Sequence, residues 1–291
     1  MKYYILYNPV AGNGSAKEDA IKLAEKLQGG DVDYMDVTTN IDYSSLVPTM
    51  AEDDVLVIMG GDGTLNHFAN ATADIDMKQE VLYCSAGTGN DFLRDIGKEP
   101  GCEPFSIKEY VRNLPTVTIN GNTYRFLNNV GFGIDGYCCE VGDKQKAANV
   151  KNIDYTSIAI KGLLFHYKPT NATITVDGVE YKYKKVWLAP TMNGRFYGGG
   201  MMAAPEQDRL NPDGTLSVML FYGKGRLKTL MAFPSIFKGE HVKKTKMVAI
   251  HTGKEITVTF DKPAPVQIDG ETILGVTSYT AKAASKVAAT V

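Results

Sequence analysis

Val55-Leu56-Val57-Ile58-Met59-Gly60-Gly61-Asp62-Gly63-Thr64-Leu65-Asn66 is the stretch whose reading decides the fold. Five consecutive apolar residues suit a parallel strand covered on both faces, where neither side meets water. The glycines stop that strand and turn the chain, and Leu65–Ala73 then carries helical spacing. Outward from this unit the same order recurs. Tyr3–Tyr7 is a short apolar strand broken by Asn8-Pro9, Gly12 and Gly14, and Ala16–Leu27 follows as a helix. Val32–Val37 reads as a strand, Tyr43–Ala51 as a short helix, Val81–Ala86 as a strand and Asp91–Ile96 as the start of a helix. Strands alternating with helices predict a doubly wound α/β sheet.

From about residue 117 the rhythm becomes strand-rich. Val117–Ile119, Tyr124–Val130, Ala172–Val176, Tyr181–Leu188, Leu216–Phe221, Met247–His251, Ile256–Phe260 and Val266–Ile268 read as strands, with Asn120-Gly121 and Asp177-Gly178 as turns. Two helices are expected, near 144–166 and 225–237. The second half is therefore expected to be an antiparallel β-sandwich domain with helical insertions. The expected boundaries are 1–118 for the α/β domain, completed by the segment 279–291, and 119–278 for the β domain.

Charge divides the chain in the same place. Residues 1–120 hold 9 Lys and Arg against 19 Asp and Glu, and the remainder holds 22 against 14, although the whole chain is only −2. Within 221–262 nine cations face three acids. That stretch is either a solvated face or a surface docking on an anionic membrane, where each cation contributes about 1 kcal/mol. Nucleic acid is disfavoured, because the basic residues lack aromatic interleaving and the acidic half repels phosphate. No apolar run approaches the roughly 18 residues of a transmembrane helix, and the opening MKYYILYNPVAG turns too early for a signal peptide. A soluble, cytoplasmic protein is expected. Cys84, Cys102, Cys138 and Cys139 show no metal-binding spacing and read as reduced thiols.

Three loops at the ends of the predicted parallel strands are rich in glycine: Asn8-Pro9-Val10-Ala11-Gly12-Asn13-Gly14, Gly60 to Asn66, and Gly87-Thr88-Gly89-Asn90-Asp91. Open α/β sheets bind ligands at such ends. Glycines let successive N–H groups converge on an anion, and each loop feeds a helix whose positive end adds to the attraction, so phosphate is the natural guest. The P-loop signature is absent, and neither Gly61-x-Gly63 nor Gly12-x-Gly14 gains the third glycine of the dinucleotide fingerprint. Asp62 is either bridged to nucleotide phosphates by Mg2+ or hydrogen-bonded to its own turn. Asn66 and Asn90 stand near helix starts, suited to ribose, phosphate or a neighbouring loop. Thr38 and Thr39, at the end of the second strand, are candidate nucleotide contacts.

Gly60 to Asn66, Gly87-Thr88-Gly89-Asn90-Asp91-Phe92 and Asp269-Gly270-Glu271, in that order, resemble the diacylglycerol kinase catalytic-domain family, which includes bacterial lipid kinases and sphingosine and ceramide kinases. Asn8-Pro9, Gly131-Phe132-Gly133, Gly198-Gly199-Gly200-Met201, Ala204-Pro205 and Gly239-Glu240-His241 extend the resemblance over essentially the whole chain. It implies a Rossmann-like α/β domain of the NAD kinase and diacylglycerol kinase type, a C-terminal β-sandwich, and Mg2+-dependent transfer of the γ-phosphoryl group of ATP to a lipid hydroxyl. With a lipid acceptor, the basic stretch over 221–262 is expected to bring the chain transiently to the inner face of the membrane. By resemblance, ATP touches Asn8, Pro9, Val10, Ala11, Gly12, Thr38, Gly60, Gly61, Asp62, Gly63, Thr64, Leu65, Asn66 and Thr88. Glu271 is the implied general base with Asp269 and Asp62 beside it in the catalytic set, and a structural Mg2+ is implied at Leu210, Asp213 and Thr215. The chemistry is consistent: a lipid hydroxyl is a poor nucleophile, and a carboxylate must take its proton during transfer. Read alone, Glu271 is equally a surface hairpin acid, since Asp-Gly is a turn signal.

Two departures stand out. Thr118 occupies the place of an Asp common in bacterial members, and Pro212 is inserted before Asp213 in the metal loop. A soluble metabolite kinase of the NAD kinase type shares the GGDG core and is one alternative; a non-catalytic nucleotide- or lipid-binding protein, suggested by Thr118, is another. Leu163, Leu164 and Phe165, with Phe233, Ile236 and Phe237, are expected in the core or along a cleft for acyl chains. The four histidines have no metal spacing. Neither the acceptor lipid nor an oligomeric state follows from the sequence.

Overall fold

The computed structural model describes residues 1–9, 15–27, 30–86, 90–150 and 153–284. The chain forms two compact units, Met1–Leu114 and Pro115–Val291.

In the first unit β1 (Lys2–Tyr7), α1 (Ala16–Lys26), β2 (Asp31–Asp36), α2 (Tyr43–Leu46), β3 (Val55–Gly60), α3 (Asp62–Ala71), β4 (Glu80–Ser85), α4 (Asp91–Asp95), β5 (Phe105–Ser106) and α5 (Lys108–Val111) follow in order. The sheet runs β2-β1-β3-β4-β5, parallel except for the antiparallel edge β5. Every residue of β3 is buried, as its unbroken apolar run requires. Helix α1 packs Ala16, Ala20 and Leu23, spaced one turn apart, into the cluster of Ile5, Val57 and Met59. The second helix expected over Tyr43–Ala51 is a single α-turn followed by a 3-10 turn at Val47–Thr49, because Pro48 removes an N–H from the ladder.

The second unit contains β6 (Thr116–Ile119), β7 (Asn122–Arg125), β8 (Asn129–Gly133), α6 (Ile134–Ala147), α7 (Tyr155–Lys161), β9 (Thr170–Val176), β10 (Val179–Val186), β11 (Leu188–Met192), β12 (Phe196–Tyr197), β13 (Met201–Met202), β14 (Leu216–Phe221), α8 (Arg226–Ala232), β15 (Val248–Gly253), β16 (Glu255–Ile268) and β17 (Glu271–Lys282). The main sheet runs β15-β14-β11-β8-β16-β17-β6-β7, with β9 on β16 and β10 on β9. This antiparallel, sandwich-like sheet encloses one core that includes Phe132, Phe260, Val266 and Tyr279. Trp187, Phe221 and Ile236 form a second core beneath α6, α7 and α8.

Three expectations change here. Helix α6 begins at Ile134, ten residues earlier than expected; Gly136 and Gly142 lower its helical propensity and mask its start. The two short strands expected at 256–260 and 266–268 are one strand, bent by register shifts between Thr259 and Val266 around Pro263 and Pro265. Strand β17 had no counterpart among the expected strands. Tyr279–Lys282 pair with Thr116–Ile119 of β6, so they belong to this second sheet; residues 285–291 lie outside the described residues.

Candidate active site

In the first unit the turn after β3 is shorter than the sequence suggests. Gly61 is the N-cap of α3 in extended backbone and Asp62 is its first residue, three positions ahead of the expected start. Glycine is needed at 60 because a Cβ there would lie 2.5 Å from the Cβ of Thr64. Gly63 faces open space, leaving the backbone of the first helical turn accessible. Asn8, at the end of β1, donates from Nδ2 to Oγ1 of the buried Thr64 at 3.3 Å, which ties the first strand to the turn.

Asn8, Thr38, Gly63 and Thr64 line one cavity of about 190 Å3. Tyr43 and His67, not among the predicted residues, also line it. His67 stands one helical turn beyond Gly63, so its position was readable from periodicity once the helix start was known. Tyr43 is fixed by an edge-on contact with Phe68 at 5.5 Å. Thr38 is exposed, its hydroxyl and N–H both donating to Asp36 Oδ1 at 2.7 and 2.8 Å. Leu65 is fully buried, and the Asn66 amide oxygen accepts from Asn70 Nδ2 at 3.0 Å. Neither side chain faces the cavity lining as a ligand group. Val10, Ala11, Gly12 and Thr88 lie outside the described residues; Pro9 is half-buried beside Asn8.

Asp62 takes a role the sequence did not suggest. Its Oδ2 accepts the N–H groups of Asp91 and Phe92, at 2.9 and 3.4 Å, where α4 begins. The carboxylate therefore joins the second glycine turn to the helix that follows the third, satisfying helix-end donors that would otherwise need another partner.

The second unit has a comparable turn between β16 and β17. Asp269 and Gly270 have φ of 46° and 94°, the backbone of a tight two-residue hairpin. The Asp269 carboxylate points inward, accepting the N–H of Leu127 and those of Asn128 and Asn129 at 2.8 and 3.0 Å. Burial pushes its pKa up to about 6, against the opposing pull of those three donors and of Arg209. The chain around it is bound in turn: Arg209 Nη2 donates to Asn128 Oδ1 at 2.9 Å and Asn193 Nδ2 to the Leu127 carbonyl at 2.8 Å. Asp269 is thus an anchor of the turn, turned away from solvent, whereas Glu271 is exposed at the first position of β17 opposite Ile268.

The loop Leu210 to Thr215 does not fit the cation that the resemblance implies. The Thr215 carbonyl already accepts from Gln207 Nε2 at 2.9 Å and Asn211 Nδ2 at 3.1 Å, which occupies both of its lone pairs. Asn211 Nδ2 also donates to the Asp208 carbonyl at 2.6 Å, and its Oδ1 accepts from Thr215 N. A neutral amide therefore closes the loop, and Asp213 is left exposed. Among the described residues no group of three or more His, Cys, Asp or Glu could hold a metal.

Thr118 is exposed on β6 and shares a hydrogen bond with Thr123 across the hairpin to β7. His241 is buried with Nε2 3.0 Å from the Ala203 carbonyl, and His251 stacks on Tyr181 at 3.9 Å. Burial pushes the Cys139 thiol up to about 12 and raises Cys138 as well, so both stay protonated at neutral pH.

Two family models match the chain: the diacylglycerol kinase catalytic domain over residues 2–116, and the YegS C-terminal NAD kinase beta sandwich-like domain over 128–287. The chain belongs to the diacylglycerol kinase family. As a lipid kinase of this family it is 28% identical over 283 residues to the diacylglycerol kinase of Mycobacterium tuberculosis (strain ATCC 25618 / H37Rv), covering 93% of this chain and 88% of that protein. It is 30% identical over 233 residues to a protein of Staphylococcus aureus (strain JH9) provisionally named a lipid kinase, covering 75% of this chain and 70% of the relative. A crystal structure of a diacylglycerol kinase from Bacillus anthracis (strain Sterne) shares the fold, with a TM-score of 0.60 at 20% identity over 97% of this chain and 94% of that one. No helix among the described residues of the kinase is long and apolar enough to cross a membrane.

Proposed function

We propose that the kinase transfers the γ-phosphoryl group of ATP, bound as its magnesium complex, to the hydroxyl of a lipid alcohol of the diacylglycerol class. The nucleotide binds at the strand ends of the first unit, its phosphates against the exposed backbone of Gly63 and the start of α3, and its remaining parts in the cavity lined by Asn8, Thr38, Tyr43 and His67. Magnesium arrives with the phosphates, because Mg2+ keeps several waters and is usually held by one or two carboxylates together with the substrate phosphates. Glu271 accepts the proton of the acceptor hydroxyl as the oxygen attacks phosphorus.

The observation that carries this reading is the division of labour within Asp269-Gly270-Glu271. The aspartate spends its oxygens on three backbone N–H groups, which anchors the turn, and the glutamate beside it is exposed at the start of β17. A base for a bound alcohol needs that combination of exposure and fixed position. The test is Glu271→Gln in mixed micelles with labelled MgATP: turnover falls about 10²- to 10⁴-fold while nucleotide affinity is kept. Unchanged turnover removes Glu271 from the chemistry, and phosphorylation of soluble acceptors in preference to lipids moves the protein to the NAD kinase type.

A membrane-dwelling acceptor requires a docking face, and the second unit carries a suitable one. Phe165, Leu227 and Met231 are 69%, 65% and 67% exposed, far more than core-forming residues of these types. Arg226 Nη1 donates to the Leu163 carbonyl at 2.9 Å, clasping α8 to the π-turn at Gly162–His166, so these apolar residues share a neighbourhood with Lys161, Arg226 and Lys228. Leu163 and Ile236 point the other way, into the core. Apolar side chains ringed by cations suit the surface of an anionic bilayer. Vesicle binding that rises with anionic lipid, falls with salt and is weakened by Leu227→Ser with Met231→Ser is expected. Binding indifferent to charge and salt returns the basic stretch to a solvated face.

A further inference from the structure

Helix α6 lies against both strands of the hairpin that carries Glu271, through a buried polar contact at Asp135 and a half-exposed one at Asp143, which also pairs with Lys146 at 3.1 Å. Gln267, 2% exposed on β16, accepts the N–H of Gly270 at its Oε1 at 2.8 Å and donates from Nε2 to Asp135 Oδ2 at 3.4 Å. Asp135 is in the first turn of α6, and its other oxygen accepts Gly136 N–H at 2.9 Å. Eight residues further along α6, Asp143 Oδ2 accepts from Thr272 Oγ1 at 2.8 Å. The first helical turn is seated on β16 so closely that a Cβ at Gly136 would lie 2.2 Å from the Pro265 carbonyl oxygen. Gln267 and Thr272 are directly opposite each other in the hairpin, and Glu271 stands between Gly270 and Thr272. The residues on both sides of it are therefore tied to one helix.

A carboxyl group buried in an apolar setting is costly, and a methyl or amide of similar size would pack there without that cost. Asp135 and Gln267 are 9% and 2% exposed, and the pairing of β16 with β8 is a backbone ladder to which their side chains do not contribute. Besides the Gly136 N–H at the start of α6, these hydrogen bonds lead through Gln267 to the N–H of Gly270, the residue beside Glu271.

We propose that α6 is a positioning element for the general base: Asp135 through Gln267 and Gly270, and Asp143 through Thr272, set the direction of the Glu271 side chain. This rests on the assignment of Glu271 as base, and it adds residues that touch neither the nucleotide nor the acceptor. A misplacement of about 1 Å in a reacting group costs on the order of 100-fold in rate. The helix supplies the stiffness that a two-residue turn lacks.

The experiment is a set of single and double variants assayed with MgATP and lipid in mixed micelles, with thermal melting recorded for each. Gln267→Leu lowers kcat about 10- to 100-fold with KM for MgATP unchanged within about twofold. Asp135→Asn, which keeps an acceptor oxygen for Gln267, retains kcat within about threefold. In a Glu271→Gln background, Gln267→Leu has no further effect on the residual turnover, because the group it orients is already gone. If Gln267→Leu melts below the assay temperature, Thr272→Val, which removes one partly buried hydroxyl, takes its place under the same criteria. Glu271→Gln with wild-type turnover overturns the base assignment and this proposal with it. Glu271→Gln inactive while folded Gln267→Leu and Thr272→Val keep wild-type kcat overturns the positioning role alone. So does a loss of the same size in both backgrounds, which marks a general effect on the fold.

Discussion

The turn at Gly61-Asp62-Gly63 and the turn at Asp269-Gly270 each place an aspartate beside glycine at a strand end, and in both the carboxylate is spent on another segment's backbone. Asp62 accepts from Asp91 and Phe92 at the start of a helix, and Asp269 accepts from three consecutive N–H groups in the loop before β8. They differ in what surrounds them. Asp62 works at the partly open end of a short helix, whereas Asp269 is sunk into a network with Arg209 and Asn193. The comparison teaches that an acid in a glycine turn is first a splint. Of the three acids expected to act in catalysis, Glu271 alone is presented outward on such a splint.

The comparison breaks first at the aspartates themselves. Asp269→Ala strands three N–H groups and removes the negative charge near Arg209, so a loss of about 3 kcal/mol or more in unfolding free energy is expected by urea melts, with turnover collapsing alongside. Asp62→Ala removes a helix-end acceptor and is expected to cost about 1 kcal/mol, with a weakened affinity for nucleotide. Equal costs, or the reverse order, dissolve the distinction between an open and a sunken splint.

A smaller effect comes from titration. The Asp269 pKa is pushed up to about 6 and that of Asp135 to about 7, both by burial, and the phenols and thiols that face Asp135 (Tyr167, Tyr279, Cys138 and Cys139) are themselves raised and neutral. A carboxyl whose folded pKa lies above its unfolded value stabilises fully below about pH 4, and that stability is lost as pH rises through the folded pKa. Relative to Asp135→Asn, the wild type is expected to lose stability between about pH 4 and 7, at no more than about 1.4 kcal/mol per pH unit. A flat difference shows that Asp135 is ionised throughout. The smallest expected effect is that of a chelator: with Asn211 closing the Leu210 to Thr215 loop, melting of the ligand-free protein shifts by under about 1 °C on adding EDTA, whereas Asn211→Ala lowers it by a few degrees. A large chelator shift restores a structural cation to that loop.

Much of this molecule could be read from its residues. The unbroken apolar run of β3 and its glycines announced a buried parallel strand feeding a helix, and Asp269-Gly270 announced a hairpin. What could not be read depends on pairings distant in sequence. Asp62 meets Asp91 across 29 positions and Asp269 meets Asn128 across 141, and no local pattern encodes either. Strand β17 carries no legible strand pattern because Gly275 and the threonines and tyrosine of 277–280 blur its alternation; buried positions alternate only from Tyr279 to Ala281. The α6 splint was hidden for a different reason: glycine at 136 reads as a breaker, yet it is the residue that lets the helix sit against the backbone of β16.

Strand β17 lies between β16 and β6, and it is made after every other strand of its sheet. During synthesis the β6–β7 hairpin therefore waits without a neighbour while about 160 further residues leave the ribosome, the separation between Thr118 and Thr280. Among the described residues, the sheet of the first unit is built only from strands within residues 2–106. Shortened translation products ending before Glu271 would thus carry a complete first sheet and an exposed, unpaired edge on β16, the kind of product that quality-control proteases remove.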